Sequence, residues 1–183
     1  TINPRAIVLG TWNQKEFNEE TIQLQALHDP DELSRIWATF QLLKPLKEGT
    51  GSLSSTGERV TLKLLEEDSS PYVRNAVLLH LQAVKSRWLP GKLGQGILQL
   101  AKSTASSDFS LSETFRADAH GWNQFRSELF GTLGRVESDS VLAFLKTEIE
   151  KATLPLDDLS KAAQSIAALG EEKSADILKS AIQ

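Results

Sequence analysis

Residues 130–142 read FGTLGRVESDSVL, and residues 166–178 read IAALGEEKSADIL. A shift of 36 positions therefore aligns Gly134 with Gly170 and Ser138 with Ser174. The glycines stand where a helix would end in a left-handed residue, and the serines stand where the next helix would begin with a side-chain cap. The pattern predicts a repeated unit of two helices.

Two further shifts extend this repeat toward the N-terminus. A shift of 39 positions aligns Arg35 with Arg74. A shift of 52 positions aligns Leu81 with Leu133. This interval is longer because a Ser-rich insertion, the longest predicted loop, occupies residues 103–112. A two-helix unit of roughly 36–40 residues is typical of HEAT and armadillo arrays. The segment Asp68-Ser-Ser-Pro-Tyr-Val-Arg74 is HEAT-like as well.

Apolar spacing and end signals predict the individual helices. Ser70-Pro71 is the clearest start, because serine caps a helix and proline fits its first position. Pro45 is predicted to end the second helix. The predicted helices cover residues 19–28, 31–45, 56–67, 70–84, 90–101, 125–133, 141–149, 155–169 and 175–182. The sequence thus predicts an all-α fold, a HEAT/armadillo-like α-α superhelix of about eight or nine antiparallel helices.

The N-terminus differs from the helical remainder. Residues 6–9 read AIVL and are followed by Gly10, which is typical of a short strand. We interpret residues 1–12 as a terminal strand or linker from a preceding domain, and residues 13–183 as a single helical-repeat domain. The chain begins at Thr1 and contains no methionine, which indicates a processed chain or a fragment of a longer protein.

Composition excludes several classes of protein. The 183 residues carry a net charge of -4 without a dense basic cluster, which argues against nucleic-acid binding. The absence of cysteine excludes disulfides, thiolate nucleophiles and Cys-based zinc sites. No apolar run approaches the roughly 20 residues of a membrane span. No secretory signal pattern precedes the helices, so a soluble protein is expected and the cytoplasm is slightly favoured, although the compartment itself stays unknown.

No catalytic, cofactor-binding or metal-binding residues are predicted. His28 is interpreted as a helix-terminal residue beside capping acids, His80 as a packing residue within a helix, and His120 as a loop residue. None of them belongs to the His-Glu-x-x-His pattern that binds zinc from one helix face. The glycines of residues 91–96 are interpreted as helix punctuation rather than a phosphate cradle. Asp157-Asp158 suits the first turn of a helix, where the dipole favours negative charge.

Residues 23–38 read QLQALHDPDELSRIWA. This stretch resembles the start of the C-terminal helical domain in bacterial members of the aminopeptidase N-like zinc metallopeptidase family. The VRNA wording at residues 73–76 and the ALG wording at residues 168–170 are similar too. The family's zinc motif, its distal glutamate and its Gly-x-Met-Glu-Asn segment have no counterpart in this chain. No functional residue is therefore carried over from the family.

The resemblance implies a non-catalytic C-terminal domain of a zinc aminopeptidase, which encloses and shapes substrate access to the peptidase site. It implies the catalytic domain of the same longer chain as the partner, with zinc only in that domain. The alternative is a free-standing HEAT-like scaffold that binds a protein or peptide on its concave face. A hydrolase that uses His120 or His28 ranks third.

Overall fold

The computed structural model describes residues 18–105, 117–151 and 154–170, and these residues are all-α, as predicted. They form eight α-helices and one 3₁₀ helix, and no strand occurs among them. The chain divides into two compact units, Thr1–Ser86 and Arg87–Gln183. The predicted strand at residues 6–9, the rest of residues 1–12 and the predicted helix at residues 175–182 lie outside the described residues. The single domain over residues 13–183 stays a prediction.

The described part of the first unit, residues 18–86, contains four helices. They are α1 (Glu19–His28), α2 (Glu32–Glu48), α3 (Ser55–Glu67) and α4 (Pro71–Gln82). Each begins after a residue whose side chain accepts a hydrogen bond from a free N–H of the first turn; these caps are Asn18, Asp31, Ser54 and Ser70. Pro71 occupies the first position of α4, where its missing N–H costs nothing. The start predicted at Ser70-Pro71 is confirmed.

Helices α2 and α4 run parallel to each other. Arg35, near the start of α2, pairs with Asp68 just before α4. The ring of Phe40 stacks on the ring of His80, with centroids 4.0 Å apart. Gly49, which follows α2, lies against the side chain of Lys85 after α4. The two helices therefore lie side by side and run in the same direction.

Helices α1 and α3 are parallel in the same way, because Glu19 at the start of α1 accepts a hydrogen bond from the cap of α3, Ser54. The first unit is thus two helical pairs, α1–α2 and α3–α4, stacked in register. The leucines Leu43, Leu64 and Leu65 fill the interior with no more than 1% exposure. Burial of each such side chain contributes about 2 kcal/mol. Stacked pairs fit the predicted repeat, and the superhelix over the whole chain stays a prediction.

The second unit contains the remaining elements. They are α5 (Gly91–Thr104), α6 (Ala119–Thr132), the 3₁₀ helix η1 (Leu133–Arg135), α7 (Asp139–Glu150) and α8 (Leu156–Leu169). Helices α6 and α8 run parallel, since Arg126 pairs with Asp158 and, further along both helices, Glu128 pairs with Lys161. The parallel pair corresponds to the 36-residue shift found in the sequence.

The core of the second unit lies against α6. Phe125, Leu129 and Phe130 are fully buried on this helix, and Ile166 of α8 is fully buried as well. The rings of Phe130 and Phe144 stack with centroids 5.9 Å apart, which joins α7 to the same core. The shift that aligns Phe130 with Ile166 therefore aligns two core positions.

Pro45 does not end α2, contrary to the prediction. The helix continues to Glu48 and ends at Gly49, whose φ of 68° is left-handed. The carbonyl of Pro45 accepts hydrogen bonds from the N–H groups of Thr50 and Gly51 at 3.0 and 3.3 Å. Proline lacks a donor but keeps its acceptor, so a proline near the end of a helix can still take part in the terminal hydrogen bonds. Burial of Leu46 to 8% exposure favours the extra turn.

Two predicted roles for glycine are wrong. Gly134 lies in η1 and does not have the left-handed backbone that Gly49 has. Gly170, by contrast, ends α8 as predicted, with a positive φ of 157° that residues other than glycine rarely adopt. The glycines of residues 91–96 lie within α5 rather than punctuating it. A Cβ atom on Gly94 would lie 2.9 Å from Cγ1 of Val136, so close packing explains this glycine.

The third difference concerns His120. It lies in the first turn of α6 rather than in a loop, because Asp118 caps that helix and accepts a hydrogen bond from the Gly121 N–H at 2.9 Å. The predicted Ser-rich loop also begins later than expected, since α5 continues to Thr104. Residues 106–116 lie outside the described residues.

Candidate interaction surfaces

A polar groove of about 530 Å³ lies along the seam between α6 and α8. The first three turns of α6 and the start of α8 contribute to it, which is why polar side chains from two distant sequence positions meet. The groove is lined by His120, Asn123, Gln124, Arg126, Ser127, Glu128, Pro155, Asp157, Asp158, Ser160 and Lys161. All of these residues except Pro155 have side chains that form hydrogen bonds, so the groove offers several polar groups to an occupant.

The floor of the polar groove is an ion pair. Nε of Arg126 donates to Oδ2 of Asp158 at 2.6 Å, and both side chains are at least nine-tenths buried. Burial raises the pKa of the Asp158 carboxyl, against the opposing effect of the Arg126 guanidinium. Lys161 and Glu128 pair at 3.0 Å closer to solvent. The charges that line the groove therefore largely compensate one another.

The polar groove has no arrangement for nucleophilic catalysis among the described residues. A serine nucleophile needs a base within hydrogen-bond reach. No described hydrogen bond joins His120 to Ser127 or Ser160.

In the first unit, Asp68 connects the starts of α2 and α4. Its carboxylate accepts hydrogen bonds from Nε and Nη2 of Arg35, at 2.9 and 3.1 Å, and from the N–H of Ser70 at 2.8 Å. Its backbone carbonyl accepts from Nε of Arg74 at 2.5 Å. The two arginines aligned by the 39-residue shift thus meet at one aspartate. Bidentate pairing of this kind fixes geometry as well as charge.

The same pair of helices carries an exposed apolar surface, which we name the α2–α4 face. It consists of Leu33, Trp37 and Phe40 on α2 and of Tyr72 and Leu79 on α4. The residues of each helix are spaced by three, four or seven positions and so share one side of it. The Phe40–His80 stack places both rows on the same side of the pair. Four of these residues are between 37% and 49% exposed.

A second groove, of about 630 Å³, lies between α1 and α3. It mixes charged residues with the apolar side chains of Leu24, Leu27 and Val60. Leu24 is 55% exposed, whereas Val60 is buried. The acids Glu19 and Glu20 border the apolar part at the start of α1.

The histidines occupy three different surroundings. His28 is the last residue of α1, as predicted. His80 packs within α4, as predicted: it stacks on Phe40, and its Nδ1 lies 3.1 Å from the carbonyl oxygen of Ala76. Because that oxygen only accepts, Nδ1 carries the proton and donates. His120 lines the polar groove.

Metal binding finds no support in these surroundings. No group of three or more His, Cys, Asp or Glu residues suited to a metal ion exists in the part of the chain that the structure describes. A zinc ion usually needs three or four such ligands. Within the same described ranges, no helix combines the length and apolar character needed to cross a membrane.

Known proteins give no further guidance on identity. No protein-family model, no curated protein and no solved structure matches this chain.

The sequence did not reveal the polar groove or the α2–α4 face. Asp157 and Asp158 were predicted to interact with the dipole of α8, and both do lie in its first turn. The partner of Asp158 on α6 was not foreseen, because 32 positions separate it from Arg126. The 36-residue shift was the one signal that placed α6 beside α8, and a degenerate repeat does not pair individual side chains.

Proposed function

We propose that the chain is the non-catalytic C-terminal helical domain of an aminopeptidase N-like zinc metallopeptidase, where it encloses and shapes substrate access to the peptidase site. The observation that supports this proposal is the repeated parallel pairing of helices. α2 and α4 are joined by an Arg–Asp pair 33 positions apart, and α6 and α8 by one 32 positions apart. Such a pairing suits a helical array, and residues 23–38 supply the resemblance to the family.

Under this proposal, the segment itself binds no zinc. It belongs to the catalytic domain of the longer chain, and the described residues contain no ligand set for it. The segment contributes shape and polar recognition, through surfaces such as the polar groove between α6 and α8.

A free-standing HEAT-like scaffold that binds a protein partner is the second candidate. The α2–α4 face favours it, because clustered apolar side chains on a surface mark interaction sites more often than scattered ones do. A scaffold of this kind needs no catalytic domain in the same chain.

The coding sequence upstream of Thr1 separates the two candidates. An open reading frame that continues upstream and encodes a His-Glu-x-x-His motif supports the aminopeptidase domain. An initiation codon directly before Thr1 overturns it and favours the scaffold. As a second measurement, the 183-residue chain is incubated with zinc and aminoacyl anilides. No hydrolysis is expected, and hydrolysis that is lost in His28→Ala or His120→Ala would contradict both non-catalytic proposals.

A further inference from the structure

We propose that the α2–α4 face binds a second copy of this chain in a two-fold symmetric, antiparallel dimer. This inference concerns a surface of the first unit and does not depend on the aminopeptidase proposal. It rests on the clustering of exposed apolar side chains and on the opposite charges at the two ends of the face.

The apolar side chains are concentrated rather than scattered. Six large apolar side chains are exposed among the described residues, and four of them, Leu33, Phe40, Tyr72 and Leu79, belong to this face. Trp37 lies between Leu33 and Phe40 on α2 and is half-buried. Leucine and aromatic residues are the side chains that gain most from burial at the centre of an interface. Such a cluster favours coverage by a protein surface.

The ends of the face carry opposite charges. Glu32 lies beside Leu33 in the first turn of α2, and Lys47 lies in its last turn. Neither forms an ion pair with another residue in the described ranges. Lys47 is close enough to His80 to lower that residue's pKa, which places the lysine near the seam between α2 and α4. The face thus runs from an acidic end, across apolar side chains, to a basic end.

A surface with this order of charges is complementary to itself. A two-fold axis pairs residue i of one copy with residue j of the other and also j with i. An antiparallel arrangement of α2 against α2 of the second copy therefore brings Glu32 opposite Lys47 twice. Glu32 and Lys47 are 15 positions apart, so their separation along the helix is about 22 Å. The midpoint falls next to Phe40, which places that ring at the two-fold axis.

The antiparallel arrangement has a second advantage. α2 and α4 run parallel, so their dipoles add, with the positive ends at Glu32 and Pro71. A second copy turned by the two-fold axis brings its own negative ends to that side. A parallel arrangement would instead place like charges together at both ends. Charge therefore selects the antiparallel dimer as the occupant of the face.

The test is the mass of the full chain in solution, measured by sedimentation equilibrium over micromolar to submillimolar concentrations. A concentration-dependent monomer–dimer equilibrium is expected. Leu79→Glu places a charge at the centre of the face and should weaken the dimer about a hundredfold or more. Leu156→Glu is the matched control, since Leu156 is 78% exposed on α8, outside the face. The control should leave the dimer constant unchanged.

Charge reversal tests the register. Glu32→Lys or Lys47→Glu alone should weaken the dimer about tenfold, because each change creates two repulsive contacts across the axis. The double variant should restore wild-type affinity. Circular dichroism of every variant confirms that the fold is retained, which is expected for exposed positions. A chain that stays monomeric at submillimolar concentration, or a dimer that Leu79→Glu does not weaken, overturns the proposal in favour of another occupant. A double variant no better than the single ones overturns the antiparallel register.

Discussion

Arg126 of α6 and Asp158 of α8 form a buried ion pair, with 2.6 Å between Nε and Oδ2. Arg35 and Asp68 form its counterpart in the first unit, with 2.9 Å between Nε and Oδ2. Arg35 and Asp158 lie in the first turns of α2 and α8, whereas Arg126 lies in the middle of α6 and Asp68 lies between α3 and α4. The two pairs therefore fix the register in which neighbouring helical pairs stack.

Arg126→Met should lower the free energy of unfolding by about 3 kcal/mol, because it leaves the Asp158 carboxylate buried without its partner. Urea unfolding followed by far-UV circular dichroism measures the change. Arg126→Met combined with Asp158→Leu should lose less than the single variant, since no buried charge remains. Lys161→Ala is the control: it removes a more exposed pair with Glu128 and should cost less than about 1 kcal/mol. An equal loss in Arg126→Met and Lys161→Ala would contradict this account of the buried pair.

Gly134→Ala should destabilise the second unit by about 1–3 kcal/mol, as overpacking does elsewhere. A Cβ atom there would lie 3.0 Å from Cα of Ser165 and 3.1 Å from its Oγ. It would also disturb the hydrogen bond from the Gly134 N–H to that Oγ, which is 3.0 Å long. Thermal unfolding of the variant checks the direction and size of the effect.

Gly91→Ala provides the matched control for this prediction. Gly91 is the first residue of α5, and a Cβ atom there would meet nothing within 4 Å. Alanine should therefore leave stability unchanged or raise it by about 0.5 kcal/mol, because it restricts the unfolded chain. If both alanine variants behave alike, close approach to Ser165 is not the reason for glycine at position 134.

Several helix starts were predictable from the sequence, but α6 begins at Ala119, six positions before the predicted start at residue 125. Ser70-Pro71 and Asp31 were located correctly because a cap involves residues only two or three positions apart. The end of α2 was predicted wrongly, because it depends on the burial of Leu46 and on the left-handed backbone of Gly49. Gly134 was placed correctly at a helix end, yet its reason is contact with Ser165, which lies 31 positions away in the chain.

The α2–α4 face was less predictable for the same physical reason. Leu33, Phe40 and Leu43 all follow helical spacing in the sequence, which does not distinguish a core-facing side from a solvent-facing one. Only the packing of α1 and α4 against α2 shows that Leu43 is fully buried and that Leu33 and Phe40 are exposed.

This difference within one helix gives a direct test. Leu43→Ala should lower the free energy of unfolding by about 2–5 kcal/mol, because it leaves a cavity in the core. Leu33→Ala should change it by less than about 0.5 kcal/mol, since Leu33 is 49% exposed. Both are measured by urea unfolding at a concentration where the chain is monomeric. Similar losses in the two variants would show that the exposed side of α2 has been assigned wrongly.

Acid should destabilise the first unit through His80. Burial, and secondarily the charge of Lys47, lowers the pKa of His80 below its ordinary value of 6.5. The unfolded chain therefore binds a proton at higher pH than the folded chain does. The contribution of neutral His80 to stability is fully present above about pH 6.5 and is lost as the pH falls from there through the lower pKa of the folded state.

His80→Phe keeps an aromatic ring against Phe40 and should abolish this part of the pH dependence, whereas His120→Gln, at an exposed position, should retain it. Urea unfolding midpoints are measured between pH 7.5 and 5. If the change of the midpoint with pH is the same in His80→Phe as in the wild type, His80 is not its source.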